Sequence, residues 1–181
     1  NTEWIISLDA DERCTENLKT EIKKVLSQNS ISENGFLIPR ENYFLGKWIK
    51  HCGWYPDHQL RLFKSKEAFV SNRIIHESYE VNGIKSKLKS NIIHFTAKSI
   101  SDYAEKINHY SGLSALEKVN NKKMSYLYLI LKPKFKFLKK FIFQMGILDG
   151  KEGLMVSYFH MMTKSLTYMK IYEMQKSKNH K

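Results

Sequence analysis

Short apolar runs of β-forming residues alternate along this chain with stretches whose apolar residues recur at helical spacing, and that alternation restricts it to a mixed α/β fold. The runs Trp4–Leu8 (WIISL), Gly35–Arg40 (GFLIPR), Gln59–Phe63 and Ile92–Phe95 have strand length and strand composition. Between the first two, Leu18, Ile22, Val25 and Leu26 fall at i, i+4, i+7 and i+8, and Thr15 is placed to cap a helix that ends near Ser27–Ser30. A second helix is expected from Asp102 towards Val119, introduced by Ser99 and Ser101. No internal repeat is present. The 181 residues suffice for one full domain and an appendage. Because Trp4–Leu8 reads as a buried strand and the first residue is Asn, the chain is expected to begin inside a domain, downstream of a missing portion.

Composition removes several classes. With 42% hydrophobic and 27% charged residues, eight glycines and three prolines, the chain is neither collagen-like nor disordered. Cys14 and Cys52 are too few for a disulfide framework and lack zinc-knuckle spacing, which fits a reducing compartment. No stretch approaches the ~20 apolar residues that span a bilayer, and Asn1–Glu3 begins no secretory signal.

The charge of +12 is uneven. From Lys118 to Lys181 there are 14 lysines against Asp149, Glu152 and Glu173, a net of +11, which leaves +1 for residues 1–117. The sequence therefore divides at 117/118 into an α/β part and a basic tail with an anionic partner. That tail has no arginine, the favoured side chain for base and phosphate contacts, and is rich in Phe, Tyr, Met, Leu and Ile, so an anionic membrane surface is expected rather than nucleic acid. Over Lys132–Leu148 the residues Lys132, Lys136, Lys139, Lys140 and Gln144 share one helical face, and Leu138, Ile142 and Met145 lie opposite with Phe135, Phe137 and Phe141 beside them. Phe143 alone falls among the lysines. A second helix, about Leu154–Met174, carries Phe159, Met162, Leu166 and Met169 after a turn over Gly146–Gly153. The plainer expectation is that both helices bury their apolar faces in a core and leave the lysines in solvent.

Asp9 and Asp11 follow the first strand, where α/β sheets place their ligands. Two carboxylates one residue apart can supply hard oxygen ligands to Mg²⁺ or Mn²⁺, and such an ion bridges nucleotide phosphates. Asp-x-Asp by itself also suits turns and helix starts.

Six stretches in order, WIISLDADE, GFLIPRENYFLGKWIKHCGWYPDHQLRLFK, IIHES, IIHFT, KSISDYAEKINHYS and KFLKKFIFQMGILDGKEG, span residues 4–153. Together they resemble family 2 glycosyltransferases that add sugars to the bacterial lipopolysaccharide core. The resemblance implies part of a GT-A (Rossmann-like) fold, a UDP-sugar donor, a divalent metal and inversion at the anomeric carbon. It also implies a lipopolysaccharide-core or related lipid-linked glycan acceptor and a peripheral position at the cytoplasmic face of the inner membrane. The family's first half, which grips the nucleotide base and ribose, would precede Asn1.

By the same resemblance Glu77, after His76, takes the place of the general base, with Asp57 in the Trp54–Asp57 loop as the second candidate. Asp9 and Asp11 then hold metal and donor. His94 is a candidate metal ligand or a structural histidine. Arg61 is read as a contact to diphosphate or an anionic acceptor group, or as a salt bridge to a nearby acid. Gln59 and His76 are assigned to the acceptor. Trp54 and Tyr55 are also expected towards the acceptor, because Gly53 and Pro56 mark a loop, with Trp48 packing inward. The alternative of a different class is a non-catalytic module that binds anionic lipid surfaces and uses the acids as caps. Self-association through an unpaired sheet edge is expected if the sheet is truncated.

Overall fold

The computed structural model describes residues 3–70, 79–121 and 124–179. The fold is mixed α/β, as the alternating periodicities require, and forms two compact units. One comprises Asn1–Lys50 and Trp54–Thr96, the other His51–Gly53 and Ala97–Lys181. Chain compactness thus divides at Thr96/Ala97, and the helix after Ser99 clusters with the basic C-terminal helices.

The first unit is a seven-stranded sheet whose central path runs β1-β5-β3-β9-β2, with β4 and β8 both paired to β3. Its strands are β1 (Trp4–Ile6), β2 (Glu12–Cys14), β3 (Gly35–Phe44), β4 (Lys47–Trp48), β5 (Asp57–Lys64), β8 (Lys85–Lys87) and β9 (Ile92–Ala97). A separate pair joins β6 (Ala68–Val70) to β7 (Tyr79–Val81). The pairings β1·β5, β5·β3, β3·β4 and β2·β9 are antiparallel, and β3·β8 is parallel. WIISL is not the buried strand that its composition suggests. As β1 it pairs with β5 alone among the described strands, and Ile5, Ile6 and Leu8 stay 38%, 42% and 38% exposed.

Helix α1 (Glu16–Leu26) covers part of one sheet face. Its cap is the expected Thr15, whose hydroxyl accepts from Leu18 N at 3.2 Å and donates to Asn91 O at 2.9 Å. Leu18 is fully buried with Phe36, Ile38, Leu62, Leu88 and Ile92, and Ile22 and Val25 pack against this cluster. Alternation along a strand puts Phe36, Ile38, Arg40 and Asn42 on one face of β3, so the face under α1 turns polar halfway along. The neighbours change in step: Ile92 gives way to His94 on β9, and Cys14 to Glu12 on β2, with Cys14 opposite Ile92 and Glu12 opposite His94. The register of β3 and β5 shifts between Phe36 and Leu37, which face Leu62 and Leu60, so Arg61 is the extra residue of a bulge.

The second unit is helical. In α2 (Ile100–Lys118), Ser99 caps by accepting from Asp102 N, and Ala115 packs with the C-cap Val119 and with Tyr168 and Ile171 of the long helix α4 (Gly150–Asn179). Between them lie a π-helical turn Leu127–Leu131, α3 (Lys132–Leu138), a second π-helical turn Lys139–Phe143 and a 3₁₀ turn Gly146–Asp149. Helix α4 begins at Gly150, earlier than the expected Leu154, and Gly153 serves close packing: a Cβ there would stand 1.9 Å from Gly146 O. Of its expected apolar stripe Phe159 is buried, whereas Met169 is 54% exposed.

The tripeptide His51–Gly53 is held within this helical unit. His51 N and Nδ1 contact the two oxygens of buried Asp149 at 2.8 and 3.0 Å. Cys52 N donates to Gln144 O at 2.9 Å, and Lys140 Nζ donates to Cys52 O. Burial pushes the Cys52 thiol up, as expected for an unreactive structural cysteine.

Burial, reinforced by the Lys140, Lys136 and Lys164 ammonium groups, pushes the His160 imidazole down to about 3. The ring is neutral in the folded chain, whereas the unfolded chain takes up its proton near pH 6.5. Stability from this group is thus intact above about pH 6.5 and is lost as pH falls towards 3. Between pH 7 and pH 5 the loss is about 2 kcal/mol. In chemical denaturation His160→Gln should shrink the pH 7 to pH 5 difference by about that amount; an unchanged difference contradicts the assignment.

Candidate active site

The polar half of the sheet face gathers charges that the strands deliver one by one. Arg40 of β3 faces Asp57 of β5 across the ladder, and its Nε donates to Asp57 Oδ2 at 2.9 Å. Arg40 Nη1 also reaches Glu12 Oε1 at 3.1 Å. Arg61, presented by the bulge, donates through Nη2 to Glu12 Oε1 at 2.7 Å and to Asp9 Oδ2. Glu12 is fully buried, and its second oxygen accepts from Asp9 N at 3.1 Å. One buried carboxylate thus ties together two arginines and the turn that carries Asp9 and Asp11, which Glu12 N closes by donating to Asp9 O at 3.0 Å.

Asn42 fixes the state of His94. The Asn42 Nδ2 group donates to Trp54 O at 2.9 Å and lies 3.4 Å from Asp57 Oδ2, so Asn42 Oδ1 is the atom that meets His94 Nδ1 at 2.6 Å. An amide oxygen only accepts, so Nδ1 carries the proton. Burial, aided by Arg40, lowers the His94 pKa against the pull of Asp11 and Glu12, which leaves the ring neutral at pH 7. Its Nε2 lone pair then faces Asp11 Oδ2 at 3.4 Å. Imidazole with carboxylate is a donor set that Mn²⁺ accepts.

The donor chemistry therefore fits a divalent ion held by Asp11 and His94, with Asp9 beside them. Asp9 is 54% exposed at its side chain, and the Arg61 guanidinium stands where a cation would approach its carboxylate. Among the described residues no group of three or more His, Cys, Asp or Glu is positioned around one metal point. Mg²⁺ and Mn²⁺ sites completed by substrate phosphates need only one or two protein carboxylates. Arg61 adds an observation of its own: Nε is buried and has no hydrogen-bond partner among the described residues. A buried unpaired donor costs about 1–3 kcal/mol.

The remaining candidates fall as follows. Asp57 also accepts from Gln59 Nε2 at 2.8 Å, so the Gln59 amide is engaged with protein. Burial pushes the Asp57 carboxyl up, but Arg40 and the hydrogen bonds from Gln59 and Asn42 outweigh it and hold the group below the usual carboxylate range. A carboxylate held so tightly has little affinity for a proton and makes a poor general base. Glu77 and His76 lie outside the described residues.

Trp54 lies edge-on to buried Phe44 at 6.3 Å, and Trp48 and Tyr55 pack edge to face at 5.3 Å. All three indoles and phenols are half-buried, and Tyr55 Oη donates to Asn91 Oδ1 at 3.2 Å. Sequence reasoning missed Glu12 as the centre, and Arg40 and Asn42 altogether. Their signal was the change from apolar to polar residues at period two within β3 and β9. No family model matches the chain, and no solved structure matches it significantly.

Proposed function

We propose that this chain carries the metal-binding and acceptor-side part of an inverting, metal-dependent glycosyltransferase of family 2, with a GT-A architecture, that moves a sugar from a UDP-sugar to a lipopolysaccharide-core or related lipid-linked glycan. The observation that supports this most is the neutral His94 Nε2 facing Asp11 beside Asp9, with two arginines behind them. Asp11 and His94 would hold Mn²⁺ or Mg²⁺, which when bound neutralises charge on the leaving nucleoside diphosphate. Arg61, with one unused buried donor, is placed to contact that diphosphate. Arg40 and Glu12 keep Arg61 and the Asp9–Asp11 turn in position without touching substrate themselves.

In this reading Asp57 positions Arg40, and the base role falls to Glu77 by the sequence resemblance. The test is UDP uptake with and without a divalent ion: Mn²⁺ should raise UDP affinity at least about tenfold, and chelator should remove the gain.

A further inference from the structure

From Lys118 to Leu148 every charged side chain is a lysine. Expected polarity would bury the apolar face of this stretch and leave its lysines in solvent. The structure does the reverse along one stripe. Leu127, Leu131, Phe135, Leu138, Ile142 and Phe143 are 50%, 55%, 58%, 43%, 55% and 73% exposed. Steps of four, four, three and four residues set the first five on one side of the segment formed by the two π-helical turns and α3. Pro133 and Lys140 are buried, and Lys140 spends its ammonium on Cys52 O. Lys132, Lys134 and Lys139 remain exposed beside the stripe.

We infer that this stripe is a membrane-insertion face that sinks into the interfacial layer of an anionic bilayer, with Lys132, Lys134 and Lys139 on the headgroups. Two observations select a bilayer. An exposed apolar strip of this extent marks an interaction surface. The segment's own charged side chains are all cationic, which matches anionic headgroups and gives a second copy of the same surface only repulsion. Lys140 is excluded from the lipid-facing set, because its charge is already committed inside the helical unit. The unbroken run of side chains along a segment of interfacial length sets the strip parallel to the bilayer plane, not across it, and no helix among the described residues is long and apolar enough to cross a membrane. The inference stands apart from the sugar-transfer reading, since neither nucleotide nor metal enters it.

The test is co-sedimentation of the 181-residue chain with vesicles of phosphatidylcholine alone and of three parts phosphatidylcholine to one part phosphatidylglycerol. Strong binding is expected only to the anionic vesicles. Phe135→Gln/Ile142→Gln should weaken it about 30-fold or more, because both side chains leave water on insertion. Both positions are exposed, so the circular dichroism spectrum should not change. The single variant Lys139→Gln should weaken binding less and reduce its dependence on salt. Absence of binding by the parent chain overturns the inference. So does binding that the double stripe variant leaves intact, which would be surface adsorption by charge alone. Light scattering that shows a dimer abolished by the double variant, with no vesicle binding, would assign the strip to a second copy instead.

Discussion

Glu12→Ala is expected to lower folding stability by about 3 kcal/mol, the range found when one partner of a buried ion pair is removed. Glu12 is fully buried and accepts from Arg40 and Arg61 at 3.1 and 2.7 Å. Its removal leaves two desolvated guanidinium groups sharing only Asp57 and Asp9, the latter half in solvent. The loss also frees Asp9 N, whose hydrogen bond to Glu12 shapes the turn. Glu12→Gln keeps the volume and one acceptor and should recover about half of the lost stability. Urea denaturation monitored by the sheet signal reads both values. A Glu12→Ala chain within 0.5 kcal/mol of the parent, roughly the scatter of a neutral surface change, would show that the network is not a stabilising element.

The second large effect has opposite signs at neighbouring residues. Asp11→Asn should weaken Mn²⁺ binding about 100-fold, since it removes a charged oxygen donor opposite His94 Nε2. Arg61→Met should strengthen Mn²⁺ binding several-fold, because the guanidinium that occupies the Asp9 carboxylate also repels the incoming dication. Met retains the apolar stem, and Glu12 keeps Arg40, so the substitution leaves no carboxylate buried alone. The same Arg61→Met change should weaken UDP binding by about tenfold through loss of a phosphate contact. Titration of Mn²⁺ by electron paramagnetic resonance gives the metal arm without turnover. Loosened or unchanged metal binding in Arg61→Met would mean that Arg61 only braces the sheet.

Much of the architecture was written in local periodicity. Thr15, Leu18, Ile22 and Val25 state the cap and buried stripe of α1, and Ser99 states the start of α2, because caps and amphipathic spacing are set within a few residues. The strands Gly35–Arg40, Gln59–Phe63 and Ile92–Phe95 appear in place but are longer than their apolar runs. Their extensions, Glu41 to Phe44 and Asp57 to His58, are strand because the sheet pairs them, not because of their own propensity. Trp4–Leu8 misled for the same reason: an apolar run of five residues cannot by itself distinguish a central strand from an edge.

The site was half legible. Asp9, Asp11, Arg61 and His94 belong to motifs visible in one dimension. Glu12, Arg40 and Asn42 owe their roles to cross-strand register and to a bulge at Arg61, which only the pairing of β3 with β5 reveals. The basic tail was legible in charge and not in orientation. Helical spacing identified the apolar stripe of α3 and its flanking turns, while the outward direction of that stripe follows from Lys140 being drawn inside by Cys52 O.

Calorimetric titration of UDP into the chain, first with Mn²⁺ and then with excess chelator, tests the central claim most directly. The account predicts uptake that Mn²⁺ strengthens at least about tenfold, and predicts that Asp9→Asn/Asp11→Asn abolishes this gain while leaving the fold intact. UDP uptake of equal strength with and without metal, or a metal-dependent gain that survives neutralising both aspartates, would contradict it.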